Sequence, residues 1–587
     1  MTLRNLCRSV ERTAYSVKRN CFERNSHAKR STLNAQRCLP VLLLPVLLGC
    51  TSCRNAHTEG SVPKRTGRYG GTLVLAAASD PKSFNPIIAK ETSTTAITGY
   101  LFEGLTRTNG VTLEVEPALA ERWEHDASGK VWTFHLRRDV VWHDGAPFTA
   151  DDVLFTFREL IYNRDIPTSS RDIFLINGRP VELRKIDDYT VIFNLPDSFA
   201  PFLRLLNQDI LPAHVLRDKV RRGVFTSSWG VNERPENIVG TGPFRLKSYR
   251  PAEWVMLDRN ERYWKRGPEN QPLPYLDRIV HMVIADPNMG VLKFKAGEID
   301  AVSVRGQDYA LLKPYEKKGN YTIYEIGPSM GEEFLVFNQN KAAPLPKSSA
   351  AWFAHPAFRQ AVAHAIDKGS IIKNVLGGFG VPQDGPLNVS SGFFYNPQAP
   401  RYAYDPQKAR ALLAGAGFSS LEFTILTNSN NPERIQTASI IQDDLRKLGM
   451  RVNLLPVEFN TLVTKLSVTK DWEAVLIGLT GGIEPHGGKN VWMSSGQLHI
   501  WNLGPGNAPQ AWEKDVDRIF EAGATELDPA ARKKLYDRWQ TIVCAQLPVI
   551  YTVNSLVMYG VRNKFGNLKP SVYGGIFHNI EELYVKR

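Results

Sequence analysis

The sequence predicts an α/β protein built from more than one sheet-based lobe. Three observations carry that prediction. At 587 residues the chain exceeds what one hydrophobic core organises, given roughly 100–200 residues per domain. The stretch from Gly240 to Asp300 reads as strand, strand, strand, helix and strand in succession, which only a sheet can absorb. Further on, a strand Leu421–Leu426, a helix Pro432–Leu448 stopped by Gly449 and a strand Arg451–Leu455 form a β-α-β unit, which implies parallel pairing.

The first residues read as a leader. Leu39–Leu48 is an apolar run of ten residues, too short to span a bilayer at about 20 residues. Lys29, Arg30 and Arg37 precede it and Gly49 follows, the layout of an export signal. Thr51–Gly71 is rich in Ser, Gly, Thr and basic residues without an apolar period, and reads as a flexible tether. The formal charge of +13 is concentrated here: residues 1–49 hold nine Lys/Arg against two Asp/Glu. The rest is only mildly basic and carries no nucleic-acid-binding motif, so nucleic acid is not expected as a partner. Of six cysteines, only Cys544 lies in the body, so this is no disulfide scaffold.

Gly71–Ala78 is a buried strand, and Ser79–Pro86 leaves its carboxyl end. Ligands of α/β sheets sit outside such ends, which makes Ser79 a candidate contact. Thr92–Phe102 follows as a helix. From Val131 to Leu136 polar and apolar residues alternate, the period of a strand with two unlike faces. Trp142-His143-Asp144-Gly145 turns the chain, and Thr149 caps a helix Ala150–Leu160. Trp142, His143 and Asp144 have the chemistry of a catalytic trio, but they read as residues that set a turn and pack a lobe. Lys185–Asn194 reads as a strand and Pro201–Leu216 as a helix.

Gly240, Gly242 and Pro243 form a loop, followed by FRLKSY and WVMLDR as a hairpin-like pair. Asp286-Pro287 opens a helix in which Val291, Leu292 and Lys295 share a face, closed by Gly297. The run FLVFNQNKAA is a strand with its exit loop. Pro356–Ile366 is amphipathic, and Asp405-Pro406 caps a helix ending near Gly415–Gly417.

The candidate site lies within Asp471–Asn502. Trp472–Leu479 is an apolar strand, and five glycines follow between Gly478 and Gly488, interrupted by Glu484, Pro485 and His486. Such a loop lets backbone groups approach a ligand closely, with Gly481 at its start. Asn490, Trp492, His499, Trp501 and Asn502 follow, flat aromatic walls with a few polar anchors, as a small-molecule cleft needs. A surface loop over core tryptophans is the plainer alternative. No Walker A loop, H-E-x-x-H, G-x-S-x-G or metal-spaced Cys/His set is present, so neither enzyme activity, metal nor cofactor is indicated.

The text of PALAERWEHDASGKVWTFHLRRDVVWHDGAPFTADDVLF, HPAFRQAVAHAID and YDPQKARALL resembles the family 5 extracellular solute-binding proteins, which serve peptide/nickel-type ABC importers. The resemblance runs from about Gly71 to Val585. It implies a two-lobed periplasmic-binding-protein fold of class II, cluster C type, with an extra α+β domain. By that partition, 1–49 is a signal peptide and 50–70 a tether. Lobe I takes 71–115, 240–325 and 550–587, an extra domain 116–239 is inserted into it, and lobe II takes 326–549. The implied function is capture of di- or oligopeptides by hinge closure and delivery, as a monomer, to an ABC permease. Alternatives are an oligosaccharide-binding member of the family or, further off, a secreted hydrolase or ligand sensor. Leu47-Leu48-Gly49-Cys50 resembles a lipoprotein signal, implying an exported protein lipid-anchored through Cys50 on the periplasmic or cell-surface side. Peptide binders of the family place an acid in the Gly-rich loop opposite the ligand's amine. By position that falls on Glu484, while Gly481-Gly482 stand where many have an Asp.

Overall fold

A computed structural model describes residues 69–89, 91–496, 498–503 and 508–586, apart from the side chain of Asn460. Cys50, the signal and most of the tether lie outside the described residues. Among those described, no helix is long and apolar enough to cross a membrane.

Three sheets organise the body. The largest has eight strands, with the neighbour order Phe244–Arg250, Trp254–Arg259, Arg278–Val283, Thr72–Ala77, Ala301–Ser303, Val553–Arg562 and Tyr321–Pro328; Gly380–Pro382 pairs with Val553–Arg562 as well. The hairpin around the Arg250–Trp254 turn is antiparallel, and Thr72–Ala77 lies parallel to Arg278–Val283. A second sheet has five strands in the order Arg451–Val457, Glu422–Asn428, Ala474–Leu479, Glu332–Phe337 and Val549–Tyr551. Its first two strands pair in parallel across the helix Pro432–Arg446, as the β-α-β pattern requires. The third is a four-stranded antiparallel sheet of Ala120–His125, Val131–Leu136, Thr190–Asn194 and Glu182–Asp187.

Each sheet has its own apolar core. Trp132, Phe134 and Leu136 point inward on the four-stranded sheet, with Trp142, Phe148 and Phe157 against them. Leu73, Phe84, Phe244, Leu257 and Ile279 fill one side of the large sheet. Phe337, Phe353, Phe358 and Phe423 pack edge to face in the five-stranded lobe, a geometry aromatic quadrupoles favour.

Trp142 and His143 are structural. The Trp142 indole donates to Asp152, and the His143 ring accepts from the Gly240 amide and donates to the Gly242 carbonyl, at 3.1 Å each. His143 thereby holds the Gly240–Pro243 loop. Asp144 accepts from His214 at 2.8 Å.

Several local expectations need correction. Lys185–Asn194 is not one strand but two, because the Tyr189 amide donates back to the Asp187 carboxylate at 2.8 Å and turns the chain. Pro201–Leu216 is two helices, Phe202–Leu205 and Ala213–Arg221; Pro212 biases the residue before it away from the helical region. The helix from Ala150 widens into a π turn over Phe155–Ile161. In Pro287–Ala296 the buried face is Gly290, Val291 and Phe294, whereas Leu292 is 57% exposed and Lys295 also faces solvent.

Two short strand crossovers join the large and five-stranded sheets. Ser329–Gly331 links Pro328 to Glu332, and Thr552 links Tyr551 to Val553. They lie side by side: the Ser329 amide donates to the Ser555 carbonyl and the Thr552 amide to the Glu333 carbonyl, both at 2.9 Å. Asn388 donates to the Ser329 carbonyl and to Asn554, tying the pair together.

Candidate functional site

A cavity of about 520 Å³ opens at the carboxyl ends of Thr72–Ala77 and Arg278–Val283. Ala76, Ala78, Ile97, Ile284 and Phe577 make it largely apolar, and Ser79 stands exposed at its wall. One buried polar group breaks this lining. His281 is 4% exposed and its Nε2 has no hydrogen-bond partner. Burial lowers its pKa to about 4, so the ring is a neutral imidazole. The sequence carried a signal for it: in the alternation Ile279, His281, a polar ring occupies a core-facing position.

A second cavity, about 360 Å³, opens beside the crossovers. Glu332, Glu333, Arg434, Thr480 and Asn554 line it. The Arg305 guanidinium is held chiefly by the Asp308 carboxylate, with Glu433 of the second cavity and Asp286 of the first adding to the favourable field.

The Gly-rich loop leaves the second cavity through Thr480. A Cβ on Gly481 would lie 1.7 Å from the Met330 carbonyl oxygen, so this position requires glycine. Gly482 differs, since a Cβ there would meet nothing within 4 Å. Both carboxylate oxygens of Glu484 are already engaged. Arg532 grips them at 2.9 and 2.5 Å, and the His486 amide donates to one at 3.0 Å. With side-chain exposures of 12% and 7%, Glu484 and Arg532 form a buried pair that tethers the loop to the helix Pro529–Gln546. The expectation that Glu484 faces a ligand amine is corrected by this pairing: its charge is neutralised from within.

His486 is buried, with its ring edge-on to Phe199 at 5.3 Å. Asn490 is exposed beyond it. Trp492 and Trp501 are not open walls. They are 4% and 0% exposed and pack with Trp512 and Trp539, while Glu513 accepts from the Trp501 indole at 2.9 Å. Of the expected contacts, Ser79 reaches the first cavity, while Gly481 only follows Thr480, the last residue of its segment to line the second. Trp492 and Trp501 belong to the core, as does the ring of His486.

His281 and His486 give the body a pH dependence. Burial lowers the pKa of each to about 4, with Lys489 adding to the effect at His486. As pH falls, the unfolded chain binds these protons first. Their contribution is complete above pH ~6.5 and is lost toward pH ~4, at up to ~1.4 kcal/mol per unit per histidine. Urea unfolding at pH 7 and pH 5 should show the loss, and His281→Gln should flatten it.

The family model for bacterial extracellular solute-binding proteins, family 5 Middle, matches residues 114–498, well over half of the chain. A probable ABC transporter-binding protein of Deinococcus radiodurans is 28% identical over 511 residues, covering 79% of this chain and 84% of that protein. Heme-binding protein A of Haemophilus influenzae is 28% identical over 560 residues, covering 90% and 94%. Among solved structures, the oligopeptide-binding protein AppA of Bacillus subtilis, in complex with a nonapeptide, superposes with a TM-score of 0.71 at 24% identity, covering 89% of this chain and all of that one. Members of this family are solute-binding proteins rather than enzymes. With a two-lobed α/β fold and its middle region matched throughout, the chain belongs to the bacterial extracellular solute-binding proteins of family 5.

Proposed function

We propose that this protein captures peptides in the gap between the two cavities, closes on them, and presents the closed form to an ABC permease. The observation that carries this is the joint. Two adjacent crossovers, Ser329–Gly331 and Thr552, connect the large sheets; one cavity opens beside them and another at the strand ends of the largest sheet. Rotation about so few residues brings Ser79 and the Gly481 loop toward one ligand. A ligand that touches both walls favours the closed state by its extra contacts there. In this reading lobe I takes 71–115, 240–325 and 550–587, the extra domain 116–239, and lobe II 326–549. Export and lipid attachment through Cys50 would hold the body beside its permease.

Peptide is the favoured solute because AppA, a structure of the same fold, holds a nonapeptide, and because an apolar cavity of about 520 Å³ suits side chains. Thermal unfolding against di- and oligopeptides, then β-linked oligosaccharides, tests it. A ligand at ~100 times its Kd adds ~2.7 kcal/mol to the folded state. The expected result is a raised midpoint with peptides; a shift with oligosaccharides alone would replace the solute.

A further inference from the structure

The first cavity is apolar except toward its floor, where three uncharged polar side chains gather. His281 stands level with Leu75 in the parallel register, and strand alternation puts it with Ile279 on the sheet face that Ile97 and Ile576 cover. The Tyr100 ring packs on the imidazole, with the ring centres 5.9 Å apart. Tyr559 reaches the same cavity from the strand Val553–Arg562. Burial pushes the Tyr100 hydroxyl up to about 12, and the nearby Tyr559 adds to the effect. Among the described residues neither hydroxyl has a hydrogen-bond partner, and the same is true of the His281 ring. Leu75 lies two residues before the strand's end at Ala77, which at ~3.3 Å per residue sets this floor ~7 Å inside the mouth.

Buried polar groups without partners are unfavourable, so a ligand that brings hydrogen bonds to this floor gains what a purely apolar one forfeits. Charge is poorly matched here. Among the described residues lining the cavity only Asp286 is charged; it is exposed at the rim, and its carboxylate caps the helix Pro287–Ala296 by accepting from the Asn288 amide at 2.9 Å. A short hydroxyl side chain would stop at the mouth, whereas a phenol carries its hydroxyl to the depth of the floor between apolar walls such as Ile97 and Phe577. We infer that the first cavity receives a tyrosine side chain of the captured peptide, and that Tyr100, Tyr559 and His281 select it over phenylalanine. The ligand hydroxyl bonds the two phenols, and the neutral imidazole supplies the polar wall behind Tyr100. This rests on the peptide reading above.

The test is isothermal titration of the purified protein with Tyr-Ala-Ala, Ala-Tyr-Ala and Ala-Ala-Tyr, each against its phenylalanine counterpart. At one of the three positions wild type should bind the tyrosine form about tenfold more tightly, the worth of one to two buried hydrogen bonds. Tyr100→Phe with Tyr559→Phe removes only two oxygen atoms and should bring that ratio below about twofold; His281→Leu should lower it as well. Should the double variant fold poorly, the wild-type ratio still decides: equal affinity for tyrosine and phenylalanine at every position overturns the proposal, with the peptide reading intact. A tyrosine preference that survives both the double variant and His281→Leu overturns it too, since another site would then be reading the hydroxyl. A wild type that binds none of the peptides overturns both this inference and the peptide reading.

Discussion

Arg532→Ala should lower the stability of the body by about 3–5 kcal/mol, the range for removing one partner of a buried ion pair. The guanidinium donates to both oxygens of Glu484 and to the Gly523 carbonyl at 2.7 Å, and lies over the rings of Phe394 and Tyr536 at 5.2 Å each. Truncation would strand the Glu484 carboxylate in an apolar setting and release the Gly-rich loop from its helix. Replacing the pair together, Glu484→Leu with Arg532→Met, should recover most of the loss, because no charge is then left unpaired. Denaturant unfolding of the three variants provides the measurement. A loss below about 1 kcal/mol for Arg532→Ala would mean the pair behaves as an exposed one.

The second large effect is expected at Gly481, with its neighbour as control. In Gly481→Ala the new methyl meets the Met330 carbonyl, which belongs to the crossover Ser329–Gly331 and its approach, so backbone must move and not merely a side chain. Overpacking of this kind costs about 1–3 kcal/mol or more. It would also displace the loop from the joint, so affinity for any captured ligand should fall at least tenfold. Gly482→Ala, entering open space, should change stability by less than about 0.5 kcal/mol. Parallel unfolding and binding measurements on the two variants distinguish a steric requirement at Gly481 from a general need for loop flexibility.

How much of this was legible in the sequence follows from the range of each interaction. Thr149, Asp286 and Asp405 cap their helices with side-chain bonds to nearby amides, a relation confined to three residues, and the sequence shows it directly. The parallel pairing of Glu422–Asn428 with Arg451–Val457 is equally local, since one helix separates the strands. The partner of Glu484 is 48 residues away on another element, and nothing around Glu484 announces it. The same holds for Trp501, which is covered by Trp492 from one segment and by Trp512 and Glu513 from the helix Ala511–Thr525. Tryptophan suits a cleft wall and a core alike, so residue type could not choose between them. Glu332 and His281 stood in the sequence as polar residues in otherwise apolar strands. Only the fold shows that each one borders a cavity.

The central claim is that ligand binding closes the two lobes about Ser329–Gly331 and Thr552. Small-angle X-ray scattering of the purified protein, with and without a saturating peptide identified by thermal shift, tests it most directly. The account predicts a smaller radius of gyration with peptide bound. Tight binding with an unchanged scattering profile would contradict it.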